Sequence, residues 1–166
     1  VLGNFVSRVT KFCYSKFDSK VPKGCKFGAE ETKLISNLEK KVKTYESYMN
    51  QIEIRKSASE LRAIWALGNE YLQVVQPWAT IKDSPLEAAM QIRLALNLIH
   101  LYAILSTPFI PDASKTIMDN LRKSDSSWPK DLKLFLDILK PGDYFEVPEK
   151  LFEKISDEMC GTWKSE

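Results

Sequence analysis

The stretch AAMQIRLALNLIHLYAIL, Ala88 to Leu105, decides how the rest of this chain is read. It is nearly as long as the apolar run of about 20 residues that a helix needs to cross a bilayer. Arg93, Asn97 and His100 interrupt it at i, i+4 and i+7, a spacing that gathers polar groups on one helix face. An apolar helix with one polar stripe reads as the core helix of a soluble protein, not as a membrane span. Ser84 before it suits an N-cap, Pro85 the first turn, and Glu87 the acid of a capping box. The TPFIP segment, Thr107 to Pro111, ends it.

On either side, apolar residues recur at helical spacing. A first helix is predicted over about Val1 to Lys20, broken by VPKG (Val21 to Gly24). A second covers about Ala29 to Asn50, with Leu34, Leu38, Val42, Tyr45 and Met49 as its apolar stripe. A third runs from about Glu53 to Gln76 and carries Ile54, Ala58, Leu61, Trp65, Leu72 and Val75. A shorter fifth helix follows the core helix to about Arg122. Beyond SDSSWP the pattern weakens: a short helix within Asp131 to Leu139, an extended piece, and a terminal helix. The expected fold is all-α, an antiparallel bundle of about five main helices with a C-terminal tail. Residues 1–122 form the bundle in this reading, and residues 123–166 form a linker and tail. The opening VLGNFVSR has no Met and no capping residue ahead of a helical pattern, which reads as an excised piece of a longer protein.

The 166 residues are 44% hydrophobic and 28% charged, enough for one well-buried domain. A net charge of +2 argues against a non-specific coat on nucleic acid. Charge is uneven, however. Residues 1–30 hold Arg8, Lys11, Lys16, Lys20, Lys23 and Lys26 against Asp18 and Glu30, a local balance of +4. Cys13, Cys25 and Cys160 are odd in number and show no CxxC spacing. That points to a reducing, cytoplasmic setting, with neither a disulfide framework nor a metal site.

Catalytic patterns are missing: no GxxxxGK[ST], GxGxxG, HExxH or GxSxG occurs. His100 sits among Leu, Ile and Tyr, as a packed, hydrogen-bonded core histidine would. Adjacent acids such as Glu30 and Glu31 point about 100° apart on a helix, so they read as solvated charges. No catalytic residue is assigned.

Two features invite a ligand. On the first helix Asn4, Arg8, Lys11 and Ser15 share a face at i, i+4, i+7 and i+11. An ordinary polar face explains that stripe; so does a set of fixed donors for the Watson–Crick edge of an unpaired base. Cytosine offers two acceptors where uracil offers one acceptor and an N–H, so a fixed arginine would discriminate between them. At the end of the third helix, Gln76-Pro77-Trp78 places an indole just past a proline stop, among polar residues. That ring either caps the core or forms a platform for something flat. Trp65, inside a helix, reads as core, and Trp128 beside Pro129 reads as a packing anchor. Asn69 and Tyr71 read as residues that hold the end of the third helix.

Three stretches in order, LGNFVSR with Asn4-x-x-x-Arg8, NEYLQVVQPW with Asn69-x-Tyr71 and Pro77-Trp78, and ALNLIHLYAILSTPFIPDASKTI, resemble the anticodon-binding domain of methionyl-tRNA synthetase, a class I enzyme. VPEKLFEKISDE resembles the tail that in this family folds back toward the catalytic domain. The resemblance implies that Trp78 stacks on an anticodon base and that Pro77 sets where the ring emerges. Asn4 and Arg8 would then contact the CAU loop, with Lys11 and Ser15 near phosphates. The partners implied are methionine-accepting tRNA and a catalytic domain of the same chain, with no membrane and no DNA. HIGH- and KMSKS-type signatures are absent, so this segment would need no cofactor and catalyse nothing. The parent enzyme would use ATP and methionine. An anticodon domain of another class I synthetase and a helical protein-interaction module remain open as alternatives.

Overall fold

In the computed structural model, which describes residues 1–153 and 155–164, five helices of ten or more residues form the bundle. They are α1 (Leu2–Phe17), α2 (Ala29–Asn50), α3 (Ile54–Val75), α5 (Pro85–Ser106) and α6 (Pro111–Asn120). Three short segments complete the set: α4 (Pro77–Asp83), α7 (Leu132–Phe135) and α8 (Asp157–Lys164). The architecture is all-helical, as the periodicity predicts. The described residues show one isolated backbone bridge, between Lys20 and Tyr144.

Helix α5 is the axle. It packs on α1, α3, α4 and α6, while α2 and α3 form a separate close pair. Its long apolar window is 94% buried, so a helix with the length and composition of a membrane span is here the core of a bundle. Burial of a large aliphatic side chain contributes about 1.5–3 kcal/mol, and α5 alone buries Ile92, Leu94, Leu96, Leu98, Ile99, Leu101, Ile104 and Leu105. Gly68 lets α3 come close to α1 and α5. A Cβ there would lie 2.7 Å from the Tyr102 hydroxyl and 2.9 Å from the Phe5 ring.

The polar stripe of α5 has a partner. The Asn97 side-chain amide donates to the Leu139 carbonyl (3.3 Å), and its Oδ1 accepts from the Leu139 amide (2.9 Å). The His100 ring stacks on Phe135 at 4.8 Å. The stripe is therefore the seat of residues 132–139, which add Leu132, Phe135, Leu136 and Leu139 to the core. One expectation fails there: both His100 nitrogens are buried without a protein hydrogen-bond partner among the described residues. Burial, with the Lys123 ammonium as a smaller cause, lowers this imidazole to about 4, so it sits neutral against the apolar Phe135 face.

Beyond shifts of one or two residues, the elements differ from the sequence reading at α1 and at Pro77. Helix α1 stops at Phe17 instead of Lys20 because Asp18 and Ser19 take left-handed conformations (φ 52° and 57°). Residues 19–21 are instead engaged by the C-terminal segment, with Val21 donating to the Asp143 carbonyl and Phe145 to that of Ser19. Proline 77 does not lead into a loop. Gln76 turns left-handed (φ 43°) and Pro77 starts α4, a position where its missing N–H has no cost and its φ is preset. Ser84 precedes α5 as expected but makes no side-chain cap bond.

Candidate nucleic-acid interface

Trp78 stands on the first turn of α4, directly after the buried Pro77. Its position follows from the sequence: the left-handed Gln76 ends α3, Pro77 restarts the chain as a helix, and the next side chain projects from the corner. The Gln76 carbonyl accepts from the amides of Ala79 and Thr80, and the Thr80 hydroxyl donates to the Val75 carbonyl at 2.8 Å. Together these bonds stiffen the corner. The indole is half-buried, packed against the bundle core.

Arg8 reaches the same ring from the middle of α1. Its guanidinium carbon lies 4.6 Å from the Trp78 ring centroid, inside the range of a cation–π contact. The two side chains come from helices that both dock on α5, so the bundle itself sets their separation. No carboxylate pairs with Arg8 among the described residues.

The other residues of the α1 stripe divide. Asn4 and Lys11 line a groove of about 500 Å³ together with Gly3, Ser7 and the segment Pro148–Phe152. Phe152 covers Gly3, where a Cβ would come within 3.1 Å of its ring. Ser15 is exposed beyond that groove. Arg8 and Trp78 thus meet, Asn4 and Lys11 lie alongside on the same helix, and Ser15 stands apart.

Beneath the corner lies a buried clasp. The Tyr71 hydroxyl donates to Glu31 Oε1 at 2.7 Å, and the Gly28 amide donates to Oε2 at 2.8 Å. Glu31 is only 4% exposed, which corrects its reading as a solvated charge. The missed signal is its place three residues after Gly28 at the start of α2, where a carboxylate caps the helix. Burial, with the Glu31 carboxylate as a second cause, raises the Tyr71 phenol far above its ordinary range, so it stays a donor. Asn69 donates to the carbonyls of Trp65 (3.3 Å) and Val1 (3.5 Å), tying the start of α1 to α3. Both residues hold the end of α3, as expected of them.

The remaining candidates are accounted for by packing. Burial pushes the Cys13 thiol up to about 12, and it donates to the Lys20 carbonyl at 3.3 Å. Trp65 donates to the Ser106 hydroxyl at 3.1 Å. The described residues hold no group of three or more His, Cys, Asp or Glu side chains that could bind a metal ion.

A guanidinium with no ion-pair partner among the described residues thus lies over a half-buried indole. Residues 21–166 match the family described as the anticodon binding domain of methionyl tRNA ligase. The chain belongs to this family. It is 54% identical over 164 residues to a methionine–tRNA ligase of Ruegeria pomeroyi, and 53% identical over 164 residues to that of Paracoccus denitrificans. Each comparison takes in 99% of this chain and 29% of the relative, so the chain spans under a third of the length of the curated relatives it matches. The fold is shared with the free methionyl-tRNA synthetase of Mycobacterium tuberculosis, at a TM-score of 0.80 and 18% identity over 93% of this chain and 32% of that one. The methionyl-adenylate-bound form of the same enzyme gives a TM-score of 0.78. As a member of this family the chain is an anticodon-binding domain. The family match begins after α1 and includes Pro77 and Trp78; Asn4 and Arg8 fall within the span shared with the full-length relatives.

Proposed function

We propose that this domain reads the CAU anticodon of methionine-accepting tRNAs through Trp78 and the α1 stripe. Trp78 is the stacking platform and Pro77 aims it. Arg8 and Asn4 donate to the base edge or the adjacent backbone, while Lys11 and Ser15 lie along the phosphates. The observation that carries this reading is the convergence of Arg8 and Trp78, from separate helices, to 4.6 Å. A base needs one flat ring and a few fixed donors, and Trp78 with the α1 stripe offers both. Stacking of a base on an aromatic side chain contributes about 1–3 kcal/mol, and a well-placed bidentate pair discriminates by a similar amount.

The whole protein would join methionine to tRNA with ATP, using a catalytic domain of the same chain toward which the VPEKLFEKISDE tail would fold. The three free cysteines agree with a cytoplasmic, reducing setting. Titration of the 166-residue chain with CAU and UAU anticodon stem-loops tests the reading. Preference for CAU by about tenfold or more is expected, and equal affinity for both loops would remove the base-reading assignment.

A further inference from the structure

The pair that suggests a binding site also obstructs it. The Trp78 indole packs against the bundle core and the Arg8 guanidinium lies over the ring, 4.6 Å from its centroid. A base that stacks on this indole meets a surface already occupied by a planar cation. Arg8 has no carboxylate partner among the described residues to draw it aside. It is half-buried on a helix held firmly by Phe5, Val6 and Val9 in the core, so its backbone cannot retreat. Only the side chain can move.

We propose that in the free protein Arg8 occupies the Trp78 ring and competes with the incoming base for it, so that a base offering the displaced guanidinium no acceptors is held weakly. This deepens the anticodon-reading assignment and rests on it. In the free protein Arg8 is a built-in ligand of the platform. Any base must displace the guanidinium and forfeit its contact with the ring. A cytosine offers the displaced guanidinium two acceptors, O2 and N3, on its Watson–Crick edge. Uracil presents N3–H toward those same donors, and the displaced cation gains no equivalent bond. The loss is the same for both bases, and only cytosine compensates it. The ratio of affinities therefore comes from the bond to cytosine, and the blocked platform lowers the absolute affinity of both bases, so that the one without that bond is held weakly.

The two parts separate in a variant. Arg8→Ala removes the bond and the block together. A plain contact residue, on truncation, weakens binding of both loops or leaves the wrong one unchanged. A competitor, on truncation, improves the wrong one. Fluorescence anisotropy of labelled CAU and UAU stem-loops would be measured on the wild-type chain, Arg8→Ala and Arg8→Lys, each checked for helical content and melting temperature. The expected result is that Arg8→Ala weakens the CAU loop about tenfold and tightens the UAU loop about two- to fivefold. Arg8→Lys, whose ammonium can still sit over the indole, should tighten the UAU loop less than Arg8→Ala does. Unchanged or weaker UAU binding in both variants overturns the competition. The gain must also need the platform: if UAU binding tightens equally when Arg8→Ala is placed in a Trp78→Ala background, the proposal is wrong. Failure of the underlying reading looks different, since Trp78→Ala alone would then leave both loops bound as in the wild type.

Discussion

Trp78 and Trp128 both sit beside a proline and near the surface, yet the molecule treats them differently. Trp128 is consumed by its own protein. Its indole N–H donates to Glu46 and its ring stacks on Tyr45, with centroids 5.9 Å apart and planes within 17°. It fastens the segment after α6 to α2. Trp78 has no hydrogen-bond partner for its indole N–H among the described residues, and a cation without a carboxylate partner among them lies over its ring. One ring is held by a hydrogen bond and a buried aromatic neighbour; the other is covered by a side chain with no ion-pair partner among the described residues. Proximity to proline does not make a platform. What matters is whether the partner on the ring is exchangeable.

The contrast can be broken from the Trp128 side first. The segment that Trp128 fastens also carries Phe135, against which His100 lies neutral. The ordinary histidine value is 6.5 and the folded value about 4. Between these two the unfolded chain holds the proton and the folded chain does not. Stability is therefore complete above about pH 6.5 and falls by about 3 kcal/mol as the pH drops toward 4. Denaturant titrations at pH 7 and pH 4.5 should show this slope, and His100→Leu should flatten it.

The next effect sharpens the contrast in binding. Trp78→Ala should cost about 1–3 kcal/mol of affinity for a CAU stem-loop, or about five- to 150-fold, whereas Trp128→Ala should leave that affinity unchanged. Calorimetric titration of both variants tests it. A comparable stability effect is expected at the clasp. Tyr71→Phe removes one of the two donors to the buried Glu31 carboxylate, costing about 1–3 kcal/mol in thermal or urea unfolding, with the CAU-to-UAU preference kept. The smallest effect falls on Trp128→Phe, which keeps a ring on Tyr45 but loses the bond to Glu46. About 1 kcal/mol of stability should go, with no change in loop binding.

Most of the bundle is legible in the sequence because its helices are long and their apolar spacing is strong. The bounds of α2 need no correction, and those of α3 and α5 shift by only a residue at either end. Where the reading misses, a distant partner intervenes. Lys20 leaves α1 because residues 142–145 pair with residues 19–21. Glu31 looks solvated in a run of charged residues and is buried because Tyr71, 40 positions away, reaches it. The short α4 is a local miss, since Pro77 signals a helix start as well as a stop. Each half of the candidate site stands out by itself, Arg8 by its stripe and Trp78 by its odd position. Their contact is a tertiary fact, set by the docking of α1 and α4 on α5.

The most direct measurement uses Trp78 as its own reporter. A chain with Trp65→Phe, Trp128→Phe and Trp163→Phe leaves one indole, and its emission is followed while a CAU stem-loop is added. Saturable quenching that tracks binding, and is much weaker with a UAU loop at the same concentration, is the result predicted for a stacking platform. Binding of the CAU loop with no change in Trp78 emission would contradict it.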